Sequence, residues 1–272
     1  MIYKKLINSI KQYGSSNNDI CQSAFKCDIN QISEKTIIAP TWSYDIFEPY
    51  VDNIKHISGP TGRGYTLHEL NIKGNIITYI KTGIGACNVL DAVLTLGITN
   101  CKKVLFVGSV GSLDPNINIG DIIIPEYSIS GVGSNGYLSQ NGLLDNNCYE
   151  TKYYPDQKFT NSLSHITDKF IFNTNIKKHK GHIFSVDTIL AQYAYLDEIV
   201  NMGCNCIEME TSAFFDAAKI CSIESGAVLG VSDNTIIKKS LYSGRTQQDN
   251  SLRKKSKEEI IPLISLAILQ DK

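Results

Sequence analysis

One stretch, residues 207–234, constrains this chain more than any other. It reads IEMETSAFFDAAKICSIESGAVLGVSDN. Two carboxylates, Glu208 and Glu210, flank Met209 just ahead of a helix predicted over residues 211–219. An apolar run, residues 227–231, follows Gly226 and stops abruptly at Ser232-Asp233-Asn234. A run bounded in this way reads as a buried strand. It carries Asp233 to the carboxyl edge of a sheet, which is where open α/β sheets bind ligands. For an isolated E-x-E the plainer reading is that the acids cap a helix N-terminus. Here both acidic clusters end apolar runs, which makes Glu208, Glu210 and Asp233 candidate site residues.

With 272 residues, 42% of them hydrophobic, the chain can bury a full core as one α/β domain. A formal net charge of −1 with interspersed signs gives no electrostatic case for nucleic acid or a membrane surface as partner. No run approaches the roughly 18 apolar residues of a membrane span, and the start lacks a signal-peptide core. The expectation is a cytoplasmic protein. The eight cysteines fit free thiols better than disulfides. Cys204-x-Cys206 has no second Cys/His pair at ligand spacing, so no metal is expected.

In chain order, residues 1–35 read as an amphipathic helix and then a polar segment, an N-terminal helical extension before a main domain over residues 36–272. Residues 36–40 form the first buried strand, and residues 42–51 a loop and helix. Residues 66–70 and 76–81 flank Lys73-Gly74 as a hairpin. Strands are predicted at 104–108, 121–125 and 181–185, and helices at 88–96, 162–172, 196–202 and 251–270. The last has an apolar face of Ile260, Ile261, Leu263, Ile264 and Ala267. The connection over residues 128–154 is long enough to cover a site. Alternating apolar runs and helical patterns predict a three-layer α/β architecture with a mixed sheet.

Several motifs carry a resemblance. I-E-M-E-T-S-A-F from Ile207 and V-L-G-V-S-D from Val228 are joined by G-x-G at Gly83 and Gly85. V-G-S-V-G-S-L from Val107 and G-D-I-I-I-P from Gly120 complete the set. Together, and in this order, they resemble the nucleoside phosphorylase family of purine nucleoside phosphorylases, uridine phosphorylases and methylthioadenosine-type nucleosidases, over about residues 36–268. The resemblance implies one three-layer α/β/α domain with a central mixed, partly barrel-like sheet. It also implies cleavage of the N-ribosyl bond of a purine nucleoside, giving free base and ribose 1-phosphate. Phosphate is then a co-substrate and no other cofactor is needed. Glu210 would grip the ribose 2′- and 3′-hydroxyls, with Met209, Glu208 and Ile84 beside the sugar. Asp233 would hand a proton to N7 of the purine, a role that needs a raised pKa. Arg245 is a candidate for the basic residue that some members place beside this acid. Phe184 and Ile189 would flank the base, while Ser109, Gly85 and Arg63 would hold phosphate. In hexameric relatives the arginine matching Arg63 reaches a neighbour's site, so a homo-oligomer, from dimer up to hexamer, is expected.

The resemblance fails on the phosphate side. The family's G-D-P-x-R loop corresponds to Pro40-Thr41-Trp42-Ser43-Tyr44, with Tyr44 in place of its arginine, and Phe106 occupies the position of a second arginine. Two charge-assisted partners at about 1.5–3 kcal/mol each are thereby missing. Either Lys81, Arg63 or another cation compensates, or water is the acceptor. The hydrolytic members use a glutamate after the first strand, and here Asp45 and Glu48 stand near that place. A third reading is a binding or storage protein of the same fold without turnover.

Overall fold

The strand at the centre of the sheet is the one whose sequence is apolar without alternation. KVLFV opens β5 (Lys103–Ser112), and such a run must be covered on both faces. In the computed structural model, which describes residues 2–140 and 148–270, β5 pairs in parallel with β1 (Lys35–Ala39) on one side and β10 (Glu224–Asn234) on the other. The run alternates between two cores. Val104, Phe106 and Val110 point to one, and Leu105 and Val107 to the other. α3 (Ala86–Leu96) and α6 (Thr211–Cys221) cover the first face. α4 (Gln157–Ile171) and α8 (Ile261–Gln270) cover the second. The result is the expected three layers.

Half of the sheet curls shut. β10 pairs with β6 (Ile122–Gly131), β6 with β8 (Lys178–Val186), β8 with β9 (Cys206–Glu208), and β9 with the end of β5, which returns to β10. Five strands therefore close a ring. β7 (Lys152–Tyr153) adds to β6 outside it. From β5 the sheet continues flat through β1 to β4 (Asn75–Lys81), β3 (Thr66–Ile72) and β2 (Asn53–Ser58). The β3–β4 hairpin turns at Lys73 and Gly74, with φ of 50° and 80°. Two positive φ values in a two-residue turn match the twist of the strands.

Four expectations are corrected. The polar segment after α1 (Ile2–Lys11) contains a helix, α2 (Asn17–Phe25). Ser16 and Asp19 form a reciprocal cap at its start, and it buries Cys21, Ala24 and Phe25. Its few apolar residues, set among amides and acids, hid the helical period. Residues 42–51 hold only a 3₁₀ segment, Tyr44–Tyr50, interrupted by Pro49, whose ring and missing N–H do not suit a longer α-helix. The C-terminal helix is broken into α7 (Gln247–Lys255), a π turn at Ser256–Ile260, and α8. The wider turn rotates the buried face. Ile260, Ile261 and Ile264 are buried as expected, but Leu266, Ile268 and Leu269 take over from Leu263 and Ala267. The connection expected over 128–154 includes β6, a 3₁₀ segment at Gly133–Leu138 and β7. Its residues 141–147 lie outside the described residues.

α1 has no fully buried residue; Leu6 packs against the core and the Tyr3 hydroxyl donates to the Leu94 carbonyl at 2.8 Å. Gly97, just past α3, leaves room for this contact: a Cβ there would lie 2.4 Å from Tyr3 Oη and 2.7 Å from Cys221 Sγ. Gly97→Ala is therefore expected to release α1 and leave the sheet intact. Limited trypsin digestion should cut faster at Lys4, Lys5 and Lys11, while the thermal midpoint falls by only a few degrees, on the order of 1 kcal/mol. Unchanged digestion would remove Tyr3 as the anchor.

Candidate active site

A cavity of about 230 Å³ opens where the carboxyl ends of β5, β9 and β10 meet the loops after β1 and β4. Glu208, Met209 and Glu210 line it from the turn between β9 and α6, and Asp233 from the end of β10. The sequence motifs thus converge on one edge. A bulge sets the aim of Asp233. Val231 pairs with Val110, but it is Asp233, not Ser232, that faces Gly111. The extra residue re-aims the side chain that follows it. Gly111 leaves the space, since a Cβ there would stand 3.2 Å from Asp233 Oδ2.

The two glutamates of the turn play different parts. Glu208 is turned into the protein. Its Oε1 accepts from the hydroxyls of Ser185 (2.6 Å) and Thr211 (2.8 Å). Its Oε2 accepts from the backbone N–H of Glu210 (2.7 Å) and of Thr211 (2.8 Å). These bonds place a carboxylate on the N-terminus of α6. Although Glu208 borders the cavity, its lone pairs are taken, and it fixes the turn rather than assisting at the sugar as expected. Burial raises its pKa against the pull of those four donors. Glu210 has one oxygen bonded, Oε1 accepting the Gly85 N–H at 2.7 Å. Burial, and then the charge of Glu208, push its carboxyl up to about 8. Asp233 is likewise raised by burial, opposed by the Ser232 hydroxyl at 2.6 Å and by Arg245 and Arg253.

Ile84 and Ile189 line the cavity as expected, and so does Ser109, whose Oγ accepts the Trp42 indole N–H at 3.1 Å. Two other expectations are corrected, at Gly85 and Phe184, while Arg63 and Arg245 lie as follows. Gly85 is not a phosphate ligand, because its N–H is engaged by Glu210. Phe184 faces a separate cavity on the far side of residues 188–192. Arg63 lies in a groove under α1 and α2, ion-paired with Asp91, outside this chain's own cavity. Arg245 is tied to backbone carbonyls, those of Ser232 at 3.2 Å and Leu241 at 3.3 Å, and does not line the cavity.

Arg253, on α7, is the cation that does line the cavity, and its charge is felt by Asp233. Sequence reasoning missed it because it sits in LRKKSKEE, which reads as an ordinary solvated helix face. Phe106 presents an apolar surface to the cavity. Tyr44 stacks on His68 at 3.7 Å and is not part of the lining. Neither Asp45 nor Glu48 lines the cavity, although both lie in the 3₁₀ segment after β1. Among the described residues no His/Cys/Asp/Glu cluster has metal-site geometry, and no helix is long and apolar enough to cross a membrane.

This arrangement offers a hydrogen-bond acceptor for a polyol, an acid whose pKa is raised by burial, a hydroxyl and one cation, all lining the same cavity. The chain is 28% identical over 203 residues to a DeoD-type purine nucleoside phosphorylase of Buchnera aphidicola subsp. Baizongia pistaciae, covering 74% of this chain and 76% of that protein. A shorter match, 36% over 66 residues, covers 24% of the chain and 28% of a 5′-methylthioadenosine/S-adenosylhomocysteine nucleosidase of Pseudoalteromonas translucida. The fold superposes on uridine phosphorylase from Vibrio fischeri ES114 with a TM-score of 0.74 at 23% identity, covering 96% of this chain and all of that one. The model of the phosphorylase superfamily matches residues 42–260, most of the chain, and with that match the chain belongs to the phosphorylase superfamily.

Proposed function

We propose that this protein cleaves the N-ribosyl bond of purine nucleosides, with phosphate as acceptor. The observation that carries the reading is that Glu210 and Asp233, two buried carboxyls with raised pKa, face one cavity from two strand ends. The ribose 2′- and 3′-hydroxyls donate to Glu210, beside Met209 and Ile84. The purine lies towards Ile189 and Asp233. As the bond between C1′ and N9 breaks, its electron pair moves into the base, and Asp233 delivers a proton to N7. A phosphate oxygen, bound between Ser109 and Arg253, forms the new bond to C1′. Arg245 and Arg253 are both basic residues whose charge acts on the acid. The relatives named purine nucleoside phosphorylases support the substrate class.

The acceptor is argued from charge. The carboxylates that line the cavity are Glu208, Glu210 and Asp233, and each already has a role. None is free to activate a water, and Asp45 and Glu48 lie elsewhere, whereas Arg253 offers a positive charge to an anion. Hydrolysis remains the second reading because Phe106 and Tyr44 replace the two expected arginines and a nucleosidase is among the relatives. The direct test is base release with and without phosphate. Phosphate-dependent release with ribose 1-phosphate as product is expected. Equal release in phosphate-free buffer, yielding ribose, would exclude phosphorolysis.

Further outcomes follow from the same geometry. Asp233→Asn should lower kcat on purine nucleosides by about 10²–10⁴, the usual contribution of a general acid, and Glu210→Gln should chiefly raise KM. If both variants keep full activity, the assignment fails.

The free enzyme holds a proton on Glu210 up to about pH 8, and gripping two hydroxyls requires the carboxylate. kcat/KM should therefore climb as pH rises towards about 8. Stability runs the other way. A folded pKa above the unfolded value stabilises at pH below the ordinary carboxylate range, and this is lost as pH rises through the folded pKa. The chemical-denaturation midpoint should fall over that window, and less so in Glu210→Gln. A flat profile for both proteins would contradict the raised pKa.

Arg63, half-exposed and remote from its own cavity, can serve only a neighbour's site. The proposal therefore includes a homo-oligomer, from dimer up to hexamer. Light scattering that finds a monomer at micromolar concentration would remove Arg63 from the site.

A further inference from the structure

The segment of residues 188–192 borders two cavities. Ile189 and Gln192 line the active cavity, while Thr188, Ala191 and Gln192 line a second cavity of about 470 Å³ on the far side. The two spaces share Gln192. The second is the larger, and its volume falls in the range of about 300–1,000 Å³ usual for small-molecule pockets. Its inner surface is apolar, formed by Phe184, Val186, Ile199 and Met202. Gly131 shapes one side, since a Cβ there would overlap the Phe184 ring. The charged groups at its border are Asp187 and Glu198, both exposed, and Asp187 accepts the Gly133 N–H at 3.2 Å. The Gln192 carboxamide makes no hydrogen bond to another described residue, so it can turn aside without breaking one.

We infer that this second cavity is a subsite for an apolar substituent carried on the purine, so that the substrates include base-modified nucleosides with a group of benzyl or isopentenyl size. The inference rests on the proposed nucleoside reading and narrows it. The substituent belongs to the base because Ile189 and Gln192 stand on one short segment, residues 189–192, at the base end of the active cavity. Glu210 and Ile84 hold the sugar from the other loops. Water in an apolar space gains few hydrogen bonds, so an apolar group that replaces it is favoured in proportion to the area it buries.

The test is calorimetric and uses the whole protein. Adenine is compared with N6-benzyladenine, and guanine with O6-benzylguanine. In at least one pair the benzylated base should bind about tenfold or more tightly than its parent, a difference of about 1.4 kcal/mol. Met202→Trp fills the cavity and should abolish that preference with binding of the parent base unchanged. Ala191→Phe, at an exposed position, gives the same comparison should the first variant fold poorly. The matching ribosides should show the same ordering in kcat/KM. A parent base that binds as well as its benzylated form overturns the subsite and leaves the nucleoside reading standing. Equal effects of the variants on both bases also overturn it, as does a cavity closed by a second copy of the chain, seen as a fall in mass on Met202→Trp. If no base binds, both readings fall.

Discussion

The buried carboxylate of Glu208 is the interaction on which the site depends. Its four hydrogen bonds join three elements at one point: Ser185 at the end of β8, the backbone of the turn, and the first residue of α6. Ser185 in turn accepts the Ser212 N–H at 3.0 Å, so strand and helix are tied twice. A carboxylate is suited to this junction because a helix start leaves N–H groups without intrahelical partners. Removing it would leave the buried N–H groups of Glu210 and Thr211 without this acceptor, at about 1–3 kcal/mol each. The turn it fixes is the one that presents Met209 and Glu210. The acid expected to assist beside the sugar therefore works mainly by holding another acid in place.

Closure of the ring of strands explains why this junction and Asp233 meet. β5 is long enough to pair with β1 near its start, β10 along its length, and β9 at its end. Gly111, paired with Ile207 on one side and Asp233 on the other, brings both acidic segments against one residue. A side chain at that position would press on both neighbours. The geometry of the site is thus a consequence of sheet closure with a bulge, and loop conformation adds less.

Much of this was legible in the sequence where a local rule and the tertiary fold agree. The unalternating runs marked β5 and β10, Lys73-Gly74 marked its hairpin, and the acids that ended apolar runs marked the site. What stayed hidden depends on long-range packing. Phe184 and Ile189 lie five residues apart on one segment, yet the end of β8 sends them to opposite sides of a wall. Gly85 sits in a glycine motif that suggests an anion loop, but its N–H already has a carboxylate partner from 125 residues away. Arg245 and Arg253 are both plausible partners for Asp233 by spacing. Only the path of the chain from β10 into α7 decides which one reaches the cavity.

The same two arginines bear on how the cavity can hold an anion at all. A phosphate placed beside three ionised carboxylates would be repelled. Burial raises the pKa of both Glu210 and Asp233, that of Glu210 to about 8, so Glu210 stays neutral until substrate arrives, and the charge of Glu208 is offset by its four donors. That reduces the negative charge in the cavity that Arg253 lines. A charge-assisted contact contributes about 1.5–3 kcal/mol, so Arg253 makes good about one of the two missing arginines, and Ser109 adds a neutral donor. The remaining deficit corresponds to roughly a ten- to hundredfold weaker hold on phosphate. On the proposed reading, ribose hydroxyls draw Glu210 into its ionised form, and the new negative charge stabilises the positive charge that develops on the ribose as the bond to the base breaks. Burial of the acids, which by itself destabilises the protein above neutral pH, would in this way let one cation serve an anionic acceptor.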